Sequence, residues 1–349
     1  MIMIERWRKV AIAVMLVLIA VPAAFGNGYD VSSTGARLCG DKIVAIYRES
    51  SSKEKLILFD IMAGTLKLID QRKSAAEPAI HICDVSNDYV AYYKGTQYIY
   101  AYDLNLDKII QVASDAQWAP SDVRVDQNYI IYSNTKGELV LCYLIPGWAW
   151  VFPIRPNAGN RHRAINGNAI AYEDRAPGPG LAASRLTIHN GIGWYTIAIP
   201  PLPLSYYSLE IDKGFALWVE NLYGLGNNKI KVLNVETAGF TTPDIFTINP
   251  PNEHIWSADI FVEQVDEINI VYCAELTTGS KDCEIRLWSN WWNGGGEFLI
   301  EGGSQIKAEP KIHGEYVIWH ERMGSNPWDP WELMIRNINF GSTMTVPIP

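Results

Sequence analysis

Charge is scarce in this chain: charged residues make up 19% of its 349 positions, against 48% hydrophobic ones, which describes a packed globular protein and excludes a disordered one. A basic excess is missing too. The net charge of -9 argues against a nucleic-acid partner, whose phosphates call for a basic face. Catalytic signatures are equally absent. No Gly-x-Ser-x-Gly elbow, Walker loop, dinucleotide fingerprint or His-Glu-x-x-His occurs, so no catalytic residue, cofactor or metal ligand is assigned and the chain reads as a non-enzyme. There is no Cys-x-x-Cys, which removes redox-motif and c-type haem readings, and no Asn-x-Ser/Thr sequon.

Long apolar runs are confined to one place. Arg6, Arg8 and Lys9 precede a run of 16 from Val10 to Phe25, and Ala24-Phe25-Gly26 has the small-x-small form of a cleavage site. The run is short for a membrane span, which needs roughly 20 apolar residues. Residues 1–26 therefore read as a signal peptide, or as a retained hydrophobic helix that would be the only membrane contact. The expected location is secreted, extracellular or cell-surface.

What the chain has in abundance is a recurring unit. Seven polar turns are each followed by an apolar strand closing on an aromatic: Tyr47, Tyr92, Tyr132, Tyr172, Trp218, Tyr272 and Trp319. These aromatics lie 40 to 54 residues apart, the length of four short strands with their turns. Each signature strand is preceded by a shorter extended run and followed by two more, which gives strands a, b, c and d with the signature as b. The b strands, such as IVAIY, YVAYY and YVIW, are apolar at nearly every position, so both faces must be buried. Face-to-face packing of neighbouring blades supplies that burial. The predicted fold is all-β: residues 27–349 form one seven-bladed β-propeller of four-stranded antiparallel blades.

The pattern Pro310, Ile312, Gly314, Val317 and Trp319 resembles the TolB-like propeller superfamily and propellers of archaeal and bacterial cell surfaces. The resemblance covers the mature chain at repeat level, although Ser86-Asn87-Asp88, Asp126-Gln127-Asn128 and Asn166-Gly167-Asn168 replace the family's Ser-Pro-Asp-Gly turn. It implies a superfamily that includes scaffolds, adhesins, peptidase accessory domains and a few enzymes.

Five cysteines remain to be placed. Cys273 and Cys283 flank a loop between two strands and are the best disulfide pair; Cys39 and Cys83, near equivalent points of successive repeats, are a second candidate pair. Cys142 reads as a buried thiol. Long b-to-c and d-to-a connections in repeats 4 to 7, together with 13 tryptophans, point to a contact surface. Its candidates are Trp328, Trp331, Tyr206, Tyr207, Trp256, Trp291 and Trp292. The function expected from these features is a non-catalytic surface propeller working through protein partners or self-association, as a surface-layer or filament subunit. A glycan-binding or carbohydrate-active propeller, or a TolB-like periplasmic scaffold, is the alternative.

Overall fold

The computed structural model describes residues 30–31, 36–116, 123–146, 148–155, 163–175, 184–197, 204–222, 228–238, 245–248, 254–264, 267–275, 283–324 and 329–347. The predicted leader, residues 1–26, lies outside them. No helix among the described residues is long and apolar enough to cross a membrane.

The described residues form seven antiparallel sheets, and within each the strand order follows the chain. The innermost strands, a, are Arg37–Cys39, Ile80–Val85, Arg124–Asp126, Arg163–Asn166, Leu204–Asp212, His254–Val262 and Lys307–His313. The b strands are Lys42–Ser50, Tyr89–Lys94, Tyr129–Ser133, Ala169–Arg175, Phe215–Leu222, Ile268–Glu275 and Tyr316–Arg322. The seven-bladed propeller read from the repeats is the observed fold.

Double burial of the b strands organises the core. Val317 and Trp319 pack with Phe261, Val271 and Ile285 of blade 6, whereas Ile318 between them packs with Ile43, Tyr47 and Ile57 of blade 1. All three side chains of this run are fully buried. At about 1.5–3 kcal/mol for each large apolar side chain removed from water, the b strands supply much of the stability. The same alternation places one hydrophobic cluster at each of the seven blade interfaces. Trp218 and Trp319 also bury a polar edge, and each indole N–H is satisfied by the carboxylate two residues on, Glu220 at 3.1 Å and Glu321 at 2.9 Å.

The a-to-b connections are two-residue turns in most blades. Gly314 adopts φ 58°, a left-handed conformation that glycine reaches without a Cβ clash. The ring closes by packing: Thr343–Thr345 pairs with Trp331–Asn337 of its own blade, and Asp30–Val31 pairs with the b strand of blade 1. Ala36, Ile43, Ile318, Leu333 and Val346 fill the seam between blades 7 and 1.

Candidate functional site

Each inner strand places a residue at the same register position, opposite the middle of its b strand. Asp84 faces Ala91, Arg124 faces Ile131, Glu210 faces Leu217, Asp259 faces Val271 and Lys311 faces Ile318; in blade 1, Arg37 faces Val44. Three cations and three carboxylates thus occupy six of the seven blades at one level. Blade 4 has Ala164, opposite Ala171.

These side chains meet across the propeller axis. Glu210 of blade 5 is bound by Arg124 of blade 3 at 3.0 Å and by Lys311 of blade 7 at 2.5 Å. Non-adjacent blades can touch in this way only at the centre of the ring. Lys311 also lies 3.7 Å from Asp259, and Arg37 lies 3.9 Å from Asp84. The side chains of Arg124 and Glu210 are 7% and 12% exposed, so the cluster is held in a low-dielectric environment where each charge needs its counter-charge.

Inner-strand carboxylates also lace the blades together. Asp84 accepts the Val125 N–H at 2.9 Å, Asp126 the Gly167 N–H at 2.5 Å, Asp212 the Val262 N–H at 2.6 Å and Asp259 the Ile312 N–H at 2.9 Å. In each case the donor belongs to the next blade, so the carboxylate satisfies a backbone group that would otherwise be orphaned on the inner edge. Bulges in the inner strands of blades 2, 5, 6 and 7 shift the register before Asp84, Glu210, Asp259 and Lys311 and re-aim them.

Burial and pairing set the protonation of the group. Burial opposes ionisation of Glu210, yet Arg124 and Lys311 outweigh it and hold the carboxyl down to about 2. Asp259 is pushed up to about 6 by burial, with Lys311 resisting and Glu210 adding to the rise. Asp212, one layer nearer the a-to-b turns, is pushed up to about 6 by burial, partly offset by the Val262 N–H. His313 packs on the Phe261 ring at 4.6 Å, and burial and Lys213 lower it to about 4, so it is neutral at physiological pH.

The residues singled out from sequence do not converge here. Trp331 opens strand c of blade 7 and stacks under the Arg322 guanidinium at 4.8 Å. Trp291 and Trp292 lie at the c-to-d connection of blade 6; Trp291 is 39% exposed, while Trp292 packs edge-on against Phe298 at 4.6 Å and joins the core. They sit at the opposite end of their strands from Trp331. Trp328 and the side chains of Tyr206, Tyr207 and Trp256 lie outside the described residues, as do most of the long connections of repeats 4 to 7.

The cysteine expectations also change. Cys273 and Cys283 are brought together, and a hydrogen bond links their sulfurs, but both are free thiols. Their positions explain this: Cys273 stands opposite Ile285 and Cys283 opposite Glu275, a diagonal pair rather than a facing one. Cys39 is a free thiol 3.9 Å from Asn87 Oδ1, and the side chain of Cys83 lies outside the described residues. Cys142 is a buried thiol, its pKa pushed up to about 12 by burial.

The architecture is a seven-bladed propeller with a charged axial cluster. The sequence matches no protein-family model and no curated protein. Among solved structures it is similar to the β-propeller domain of the Trilobed protease from Pyrococcus furiosus, with TM-score 0.65 and 9% identity over 92% of this chain and 98% of that one. The Pyrococcus horikoshii acylaminoacyl peptidase gives TM-score 0.64 and 9% identity over 92% of this chain and 52% of that one, so the chain spans about half the length of that enzyme. An oligogalacturonate lyase in complex with manganese gives TM-score 0.59 and 12% identity over 92% and 90% of the two chains. At such identities the likeness establishes the fold.

These neighbours correct the expected function. They are propellers of peptidases and a lyase, and the reading of a non-catalytic surface-layer or filament subunit is corrected by them. That reading took the missing nucleophile motif as a sign that no chemistry was involved. A propeller within a catalytic protein need not carry the nucleophile, so the absence speaks only of this chain's own motifs. Among the described residues no group of three or more His, Cys, Asp or Glu side chains is placed to hold a metal.

Proposed function

We propose that this chain is the substrate-handling propeller of a peptidase-type catalytic assembly, and that its axial cluster recognises the charged ends of short peptides. The observation that carries this reading is the balanced group of three cations and three carboxylates around Glu210, with the uncharged Ala164 at the same register position in blade 4. A peptide carboxylate matches Arg124 and Lys311, and a peptide ammonium matches Glu210 and Asp259. Exchange of an internal ion pair for a ligand's pair keeps every buried charge compensated. Bond cleavage is then assigned to another domain or polypeptide, in keeping with the coverage of about half of the acylaminoacyl peptidase. The TolB-like resemblance of Pro310 to Trp319 supports the same placement, since that superfamily includes peptidase accessory domains.

Calorimetric titration tests the reading. A tripeptide with free termini should bind, and its N-acetylated, C-amidated counterpart should bind at least about tenfold more weakly, the equivalent of 1.4 kcal/mol. Equal binding of the two, or no binding of either, overturns the proposal. An extracytoplasmic location, from the leader, is part of the same reading.

A further inference from the structure

Blade 1 carries a second charged feature, away from the axis and independent of the peptide reading. A cavity of about 220 Å3 opens beside Glu49 near the end of strand b, Lys53, Glu54 and Lys55 at the start of strand c, and Gln71, Arg72 and Lys73 at and just past the end of strand d. Four cations and two carboxylates line it, a net local charge of +2 on a chain of net charge -9. Strand c is Lys53–Asp60 and strand d is Thr65–Arg72. Their register sets Lys55 opposite Gln71 and Glu54 opposite Arg72, so alternation sends Lys53, Lys55 and Gln71 to one face.

Internal pairing accounts for some of these charges and not for others. Glu54 is held by Arg48 at 3.3 Å, by Arg72 at 3.8 Å and by the Ile80 N–H at 2.8 Å; Lys55 pairs with Glu49 at 2.5 Å. The Arg72 guanidinium donates to the carbonyls of Ser51, Ser74, Ala75 and Glu77 and so ties the b-to-c turn to the d-to-a connection. The cavity is therefore built on a fixed frame. Lys53 and Lys73, both exposed, have no ion pair or side-chain hydrogen bond among the described residues. Two ammonium groups without a contact ion pair, Lys53 acting on Glu49 only through space, stand beside a glutamine amide and form an anion site of the point-charge kind that lysine provides for phosphate.

We propose that this cavity binds a compact oxyanion of two negative charges, a phosphate group, with Lys53 and Lys73 neutralising it and the Gln71 amide donating to it. The cavity is smaller than the roughly 300–1,000 Å3 typical of drug-sized ligand sites, which favours a small ligand. Free phosphate and the phosphoryl group of a small monoester share this chemistry.

Calorimetry with inorganic phosphate and with glycerol phosphate, at low ionic strength, tests the assignment. The native chain should bind inorganic phosphate with a Kd of about 1 mM or below, and the K53Q/K73Q double variant should bind it at least about tenfold more weakly. Both lysines are exposed, so the variant should keep the native circular dichroism spectrum; the single variants should lie between. A K108Q/K136Q variant, which removes two exposed lysines of other blades, should leave the Kd unchanged. Tighter binding of glycerol phosphate assigns the site to a phosphomonoester, and equal binding assigns it to free phosphate. A Kd that moves less than about twofold in K53Q/K73Q, or no binding at about 10 mM phosphate, overturns the proposal. Glu210→Gln should retain phosphate binding, which separates a failure here from a failure of the axial site.

Discussion

Replacing Glu210 by Gln removes the one carboxylate that joins blades 3, 5 and 7. The side chain keeps its volume, so packing is conserved and the change is electrostatic. Arg124 loses the carboxylate at 3.0 Å, and Lys311 loses its closer partner and keeps Asp259 at 3.7 Å. Two routes give the magnitude. The carboxyl is held from 4.5 down to about 2, which by linkage corresponds to about 3 kcal/mol of folded-state stabilisation at neutral pH. Breaking a buried ion pair from one side costs roughly 3–5 kcal/mol. Urea denaturation at pH 7 should therefore show Glu210→Gln less stable by about 3 kcal/mol. Because the folded pKa is depressed, this contribution is present above about 4.5 and is lost as the pH falls through about 2. The difference between variant and native protein should shrink accordingly in acid. A loss below about 1 kcal/mol at pH 7 would refute the claim that the cluster is tightly coupled and desolvated.

Asp212 works in the opposite sense: its folded pKa is raised to about 6 from 3.8, so its contribution is full below about 3.8 and is lost as the pH rises through about 6. Thermal midpoints should be higher at pH 5 than at pH 8, and Asp212→Asn should flatten that slope; an unchanged slope would contradict the assignment. Trp319→Ala, at a fully buried b-strand position, should cost about 3–5 kcal/mol in the same denaturation assay. Alkylation under denaturing, non-reducing conditions followed by mass spectrometry should modify both Cys273 and Cys283, whereas a bridged pair would stay unmodified. Amino-terminal sequencing of the protein from its native source should begin at Asn27, and a chain beginning at Met1 would exclude cleavage after Gly26.

The blade was legible in the sequence because double burial writes itself into a single strand. YVIW and IVAIY are apolar at successive positions, and a strand with one wet face cannot be. Gly314 was readable for a related reason, since its turn needs a left-handed residue. The axial cluster was not readable in the same way. Arg124 and Glu210 are 86 residues apart and Lys311 and Glu210 are 101 apart, so no local spacing connects them. Bulges in four inner strands further obscure which residues face the axis. A signal was present all the same. Asp84, Arg124, Glu210, Asp259 and Lys311 are charges inside short apolar runs, each just before the turn into its b strand, and aligning the repeats on that turn would have gathered them. The aromatics of the connecting loops stand out in the sequence because differences between repeats are largest there. Those residues separate onto opposite ends of the blades, as Trp331 and Trp291 do.

A crystal structure with a bound free-termini tripeptide tests the central claim most directly. The account predicts the peptide carboxylate within hydrogen-bond distance of Arg124 and Lys311 on the blade 4 side of the axis, with its ammonium turned toward Glu210 or Asp259. A peptide seated elsewhere, with the bonds of Glu210 to Arg124 and Lys311 intact, would contradict it.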